Sequence, residues 1–352
     1  MKILVINPFG IGDVLFSTPL IRALKRHYPQ SSIAYFCNKR TEPILSNNPN
    51  IDKVFVFERD EYRSLWRESR VRCIKKVISL LRDIKKEKFD IAIDLSVRKE
   101  YAFYLWILGV SRRIGFDYRR RGRYLTEKIK IEGYDDKHVI EYCLDVLRYM
   151  GIESDDGHPE VFIAERDKIW ATEFLSKAGV KDDESLIGVM PGGGASWGHD
   201  VSFRRWYSDR FAEAADRLTA PKVKIILFGD KSELKLCNSV VSVMKNKPVI
   251  ACGLTTLPQL AALFNKCALV IANDSGSLHL AVASGAKTVS IYGPVDDKVY
   301  GPYPPGPRHI VMKSGLTCWP CYKRFTMSNC STRDCLDKIT VNDVVTAAER
   351  LL

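Results

Sequence analysis

Apolar residues along the chain fall into short unbroken runs, separated by stretches in which they recur at helical spacing. Ile3 to Ile6 is the first run, and it stops at Asn7-Pro8 ahead of a glycine-bearing turn. An unbroken apolar run suits a strand covered on both faces, as parallel sheets require. Leu15, Leu20, Ile21 and Leu24 then repeat at helical spacing until Tyr28-Pro29 closes the segment. Further strands are expected at Ile33 to Phe36, Val54 to Phe57 and Ile91 to Leu95, with an amphipathic helix over Cys73 to Ile84. Strand, turn and helix in alternation are the βαβ grammar of a parallel sheet.

The same grammar restarts after the polar, acidic stretch Glu153 to Pro159. Ile187 to Met190, Ile225 to Phe228, Leu269 to Ala272 and Val289 to Tyr292 read as buried strands, each followed by a turn and a helical pattern. The expected class is therefore α/β, with two Rossmann-like doubly wound domains facing a central cleft. The boundary falls near residues 155–168, giving an N-terminal domain over 1–160, a second over 161–335, and a last helical stretch over 336–352 packing back across the lobes. A length of 352 residues suits two lobes, at about 100 to 200 residues per domain.

Composition narrows the class. Hydrophobic residues at 46% and charged residues at 27% describe a folded globular chain. Met1 leads straight into the first strand without a signal-peptide pattern, so a cytoplasmic location is expected. Tyr101 to Val110 is the longest strongly apolar segment, about half of the roughly 20 residues needed to span a bilayer. It reads as a buried helix. The formal charge of +12 points to an anionic partner: an acidic substrate, a membrane face or nucleic acid. Much of it is concentrated in Arg112, Arg113, Arg119, Arg120, Arg121 and Arg123, opposed only by Asp117, which reads as an anion-binding loop or as a merely soluble basic one. No readout module or aromatic stripe accompanies the charge, so nucleic acid is not an expected partner.

The candidate chemistry sits just beyond strands, where doubly wound sheets bind ligands. Gly10-Ile11-Gly12-Asp13 follows the first run; its glycines permit a tight turn, but Leu15 stands where a dinucleotide fingerprint needs a third glycine. Asp13 reads either as a helix-capping carboxylate or as the base that takes a proton from an acceptor hydroxyl. Met190 to Ser196 carries Gly192, Gly193 and Gly194 ahead of Arg204-Arg205-Trp206, a combination suited to cradling a diphosphate or to a structural turn. In Asn273-Asp274-Ser275-Gly276-Ser277-Leu278-His279, Ser275 and Gly276 offer amides to a phosphate at a helix start, and Asp274 suits sugar hydroxyls or a plain N-cap. No Asp-x-Asp pair is present to hold a divalent ion against a diphosphate. Cationic side chains and helix starts must then neutralise the leaving group.

In this order and spacing the motifs resemble glycosyltransferase family 9, the ADP-heptose:lipopolysaccharide heptosyltransferases, over nearly the whole chain. The resemblance rests on Gly12-Asp13-Val14-Leu15 with Thr18-Pro19 and Arg22-Ala23-Leu24, Pro191-Gly192-Gly193 with Arg205-Trp206, Leu260 to Leu263, Asn273 to Gly276 with Leu278 to Ala281, Gly293-Pro294, and Cys318-Trp319-Pro320-Cys321. It implies a GT-B fold, an ADP-heptose donor, inversion at the anomeric carbon, no metal cofactor for catalysis, and an anionic glycolipid acceptor such as the lipopolysaccharide inner core, met at the inner membrane's cytoplasmic face. It makes Asp13 the base and gives Gly192, Gly193, Arg204, Asp274, Ser275, Gly276 and His279 to the donor, with Glu233 on the nucleotide ribose. Gly12 and Arg119 to Arg121 fall to the acceptor. The family commonly places a lysine where this chain has Arg204, a departure that bears on the donor's pose. A nucleotide-sugar epimerase of the same fold and a non-catalytic nucleotide-sugar binder are the rival readings; the first has no use for the arginine cluster.

Six cysteines lie in apolar or helical surroundings and read as reduced core thiols. Cys318, Cys321, Cys330 and Cys335 crowd into eighteen positions. Four thiolates on such a loop read first as holders of a structural zinc or iron, with disulfides and free thiols as the alternatives.

Overall fold

The computed structural model describes residues 1–154, 157–193, 201–330 and 332–352. Asp155 and Asp156 of the acidic stretch, and Gly194, Ala195 and Ser196 of the glycine-rich turn, lie outside the described residues. The chain divides into two compact units, one of Met1–Tyr134 with Val139–Gly157, the other of Asp135–His138 with His158–Leu352.

In the first unit, β1 (Lys2–Ile6), β2 (Ser32–Cys37), β3 (Lys53–Val56), β4 (Ile91–Asp94), β5 (Arg112–Tyr118) and β6 (Glu127–Ile131) form a parallel sheet in the order β3-β2-β1-β4-β5-β6. The chain winds outward from β1, returns to lay β4 beside it, and so leaves a switch point between those two strands. Helices α1 (Ile11–Phe16), α2 (Thr18–His27), α3 (Glu42–Leu45), α4 (Arg59–Glu68), α5 (Arg70–Glu87), α6 (Lys99–Ile107) and α7 (Val139–Tyr149) complete the unit. Leu4, Ile6, Phe36, Phe55 and Ala92 of the strands pack with Ile84 of α5 and Leu105 of α6. Each leucine, isoleucine and phenylalanine among them, once buried, stabilises the fold by about 1.5–3 kcal/mol.

The second unit repeats the plan. Strands β7 (Ser185–Met190), β8 (Val223–Leu227), β9 (Val249–Ile250), β10 (Leu269–Asn273), β11 (Lys287–Ile291) and β12 (His309–Met312) are parallel in the order β12-β11-β10-β7-β8-β9, with the switch point between β7 and β10. A hairpin, β13 (Tyr322–Lys323) with β14 (Thr326–Met327), stands apart from the sheet. The helices are α8 (Glu165–Lys177), α9 (Ser208–Leu218), α10 (Leu234–Val243), α11 (Leu257–Lys266), α12 (Gly276–Ala283), α13 (Asp297–Tyr300), α14 (Asp334–Asp337) and α15 (Val341–Leu351). Val344, Val345 and Ala348 of α15 lie in the same core as Val189, Phe211 and Val289. The last helix thus seats its apolar face on the second sheet.

Three local expectations change. The helix over Leu15 to Leu24 is two helices: Ser17 ends α1, its hydroxyl donating to the Val14 carbonyl at 2.7 Å, and Pro19 sits in the first turn of α2, where its missing N–H costs nothing. The run from Tyr101 is helical as α6 but not wholly buried, since Tyr104, Trp106 and Ile107 face solvent. The arginine cluster is not one loop. Arg112 and Arg113 belong to β5, where Arg112 pairs with Glu127 at 2.7 Å and Arg113 donates to the Tyr124 carbonyl, so both serve the fold.

Candidate functional site

At the first unit's switch point, Gly10 caps α1, and its amide donates to Asp13 Oδ2 at 3.1 Å. The Asn7 side chain donates to the Asp13 carbonyl at 2.9 Å, and Asn38 donates to the Pro8 carbonyl at 3.3 Å, which pins the turn to the end of β2. Asp13 is half-buried and Gly12 buried. The capping role and the role of base are therefore compatible: one oxygen holds the turn, and the carboxylate stays at the strand ends.

Asp94 closes β4, registered beside Ile6 of β1 and Gly115 of β5. Burial pushes its carboxyl up to about 6, against the Ser96 amide that donates to it at 2.9 Å. Tyr134 feels both Asp13 and Asp94, and burial with these charges raises its phenol well above the usual range. Sequence reading passed over Asp94. Its one available signal was a carboxylate ending an otherwise apolar buried strand.

Beyond β5 the chain turns through Arg119 and Arg120, both in the left-handed region with φ of 49° and 59°. Arg119 and Arg121 lie over the Tyr118 ring, 5.0 and 5.3 Å from its centre. With Arg98, Lys99 and Glu100 at the start of α6, Arg119 to Arg121 line a cavity of about 430 Å³. Five cations against one carboxylate give it a lining suited to anions, and Arg98 and Lys99 stand beside the arginines singled out in sequence.

In the second unit, Asn273 ties the switch point together. Its amide donates to the carbonyls of Pro191 at 2.8 Å and Gly192 at 3.1 Å, and its oxygen accepts the Trp206 amide at 2.9 Å. Trp206 is buried and donates its indole N–H to the Ile339 carbonyl at 3.0 Å. The glycine turn, the basic pair and the end of β10 are thereby held in one place.

Arg204 Nη2 lies 2.6 Å from Asp274 Oδ2, and both side chains are buried. Burial raises the Asp274 carboxyl, while the Arg204 guanidinium opposes that rise. Asp274 Oδ1 has no hydrogen-bond partner among the described residues. A buried acceptor in that state is costly until a donor such as a sugar hydroxyl meets it.

Ser275 caps α12 by accepting the Leu278 amide at 3.3 Å, with Gly276 the first residue of the helix. Arg205 Nη2 pairs with Glu233 Oε1 at 3.1 Å, and the Asp230 amide donates to Glu233 Oε2 at 3.2 Å. Gly192 passes so near this carboxylate that any side chain there would overlap it. Gly193 lies against Val201 and Arg205. His279 is buried, and burial together with His138 and Arg204 holds its imidazole neutral. Every donor-side residue expected from sequence thus comes to the carboxyl ends of β7, β8 and β10, a placement suited to an anionic, hydroxyl-bearing ligand.

The four late cysteines surround the hairpin. The Ser328 amide donates to the Cys321 carbonyl, while the thiols of Cys321 and Cys330 donate to the carbonyls of Cys318 at 3.2 Å and Thr332 at 2.8 Å. No group of three or more His, Cys, Asp and Glu side chains among the described residues is arranged to hold a metal ion. The six cysteines expected in the core are all buried.

Residues 77–331 match the family model described as glycosyltransferase family 9 (heptosyltransferase). Lipopolysaccharide heptosyltransferase 3 of Escherichia coli K12 is 25% identical over 299 residues, 83% of this chain and 82% of that protein. The crystal structure of a family 9 glycosyl transferase from Veillonella parvula DSM 2008 superposes with a TM-score of 0.84 at 27% identity, over 99% of this chain and 96% of that one. The ADP-heptose lps heptosyltransferase II of E. coli is similar in fold, with a TM-score of 0.76 at 21% identity over 100% of this chain and 98% of that one. Two doubly wound parallel sheets agree with the expected GT-B class.

Proposed function

The chain belongs to glycosyltransferase family 9, and from that premise we propose that it transfers heptose from ADP-heptose to an anionic glycolipid acceptor of the lipopolysaccharide core, with inversion and without a metal cofactor. The observation that carries this reading is the buried Arg204–Asp274 pair beside the glycine turn and the start of α12, where Asp274 Oδ1 is left to accept from a donor sugar.

In this reading the ADP diphosphate lies against the Ser275 and Gly276 amides and the Gly192-Gly193 turn. Arg204 and Arg205 supply positive charge, and Glu233, held by Arg205 and the Asp230 amide, receives the ribose hydroxyls. His279, neutral, backs the site without adding charge. Asp13 takes the proton of the acceptor hydroxyl as that oxygen bonds to the anomeric carbon; the bond from that carbon to the β-phosphate oxygen breaks, and ADP departs with the electron pair. The cavity of Arg98, Lys99 and Arg119 to Arg121 holds a phosphate or carboxylate of the acceptor.

Transfer assays with a panel of nucleotide sugars and a deacylated inner-core acceptor test the reading: ADP-heptose should be consumed only with acceptor present, and a donor interconverted without acceptor would favour the epimerase. A structural metal at Cys318, Cys321, Cys330 and Cys335 belongs to the same proposal. It needs the thiols to turn from their main-chain partners toward a common ion, and metal analysis of the purified protein should then find one zinc or iron per chain.

A further inference from the structure

Helix α5 carries two faces. Ile84 is buried against the first sheet with Leu80 packed beside it, and Cys73 is buried with its thiol toward the Tyr62 carbonyl of α4. The opposite side should be polar in a chain whose only need is to fold. Instead Val71, Ile74 and Ile78, one and two turns apart on the solvent side, are 62%, 47% and 41% exposed. On the adjoining helices Trp66 is 48% and Trp106 53% exposed.

Charge accompanies this stripe. Lys75, Arg82 and Lys85 follow the exposed apolar residues at four- and seven-residue intervals and are themselves exposed. Among the described residues none of the three is ion-paired. Arg70 lies over the Trp66 ring, 5.6 Å from its centre. Between Arg59 and Glu87 ten Lys and Arg face five Asp and Glu.

The direction of the helix is fixed. At its end Glu87 pairs with Lys2 at 2.8 Å and Lys53 at 2.6 Å, the first residues of β1 and β3. Its beginning, with Val71 and Ile74, therefore lies toward the carboxyl ends of the strands, the edge that bears Asp13 and the arginine-lined cavity.

We propose that the exposed side of α4 and α5 docks on an anionic phospholipid bilayer, its apolar residues entering the headgroup boundary and its lysines and arginines meeting lipid phosphates. Long basic side chains beside aliphatic and tryptophan residues suit that boundary, because their stems lie along apolar material while the charged heads stay wet. The docked face would present the edge bearing Asp13 to an acceptor held in the same leaflet. In that purpose the inference rests on the transferase reading, whereas lipid binding itself does not.

The test is co-sedimentation of the full chain with phosphatidylethanolamine–phosphatidylglycerol vesicles, and with phosphatidylcholine vesicles, in the absence of sugar substrates. The parent should bind the phosphatidylglycerol vesicles and be released by salt. The triple variant Val71→Ser/Ile74→Ser/Ile78→Ser should lose about tenfold or more in partitioning. Lys75→Gln/Arg82→Gln/Lys85→Gln should erase the preference for phosphatidylglycerol. Both variants should keep parental transfer to a soluble deacylated acceptor. A parent that ignores anionic vesicles, or a serine variant that binds them as the parent does, overturns the proposal. Conversion of a dimer to a monomer by the serine variant, with vesicle binding unchanged, gives the stripe to a second copy instead.

Discussion

Replacing Asp94 by asparagine should stabilise the folded chain, and by more at neutral than at acid pH. Asp94 is 3% exposed at the end of β4, and burial lifts its carboxyl from 3.8 to about 6. At about 1.4 kcal/mol per unit, a gap of about two units makes the ionised group cost roughly 3 kcal/mol. The raised value means that the folded state holds the proton more tightly than the unfolded one. Below about 4 both states are protonated and nothing is lost; between about 4 and 6 the unfolded state releases its proton first and stability falls; above about 6 the full cost is present. Asparagine keeps an oxygen for the Ser96 amide and cannot ionise. Its advantage over the parent should be about 1 kcal/mol at about pH 4.5 and about 3 at about pH 7.5. Urea unfolding of both proteins at the two pH values, followed by fluorescence and circular dichroism, measures the difference. A fixed offset from the new amide cancels in that comparison, so a relative stability that does not change with pH would mean that burial does not raise the Asp94 carboxyl.

Two further outcomes follow from the charges at the strand ends. Arg204→Ala leaves Asp274 buried without its cation and should cost about 3–5 kcal/mol in chemical denaturation, whereas Arg204→Ala/Asp274→Ala should recover much of that loss. Reversal of Arg119, Arg120 and Arg121 to glutamate should raise the acceptor KM by at least about tenfold at low salt while the ADP Kd changes little, as titrations with each ligand would show.

The strands that were legible in sequence are those buried on both faces, such as β1, β4, β7 and β10, because double burial leaves no polar residue to interrupt the run. β6 was not legible: as an edge strand it alternates charge with isoleucine in Glu127–Ile131. β5 opens on two arginines whose partners, Glu127 and the Tyr124 carbonyl, lie more than ten residues along the chain. In α6 the apolar residues surround the helix, so no periodicity marked the face that Trp106 leaves in water. Gly192, Gly193, Asp274, Ser275 and Gly276 stood out as candidates because they lie in short glycine-bearing turns directly after apolar runs. Asp94 was not, since its place beside the Asp13 turn arises only when β4 returns to pair with β1. The joining role of Asn273 likewise depends on carbonyls about eighty residues earlier.

The most direct test of the transferase account is the rate of heptose transfer by Asp13→Asn beside the affinity of the same protein for ADP-heptose. Asparagine keeps an oxygen to accept the Gly10 amide, so the turn and helix stand while the proton acceptor is gone. With the proton acceptor gone, kcat should fall by about 10² to 10⁴ while donor affinity holds. Transfer at the parental rate with a verified acceptor would rule out Asp13 as the base.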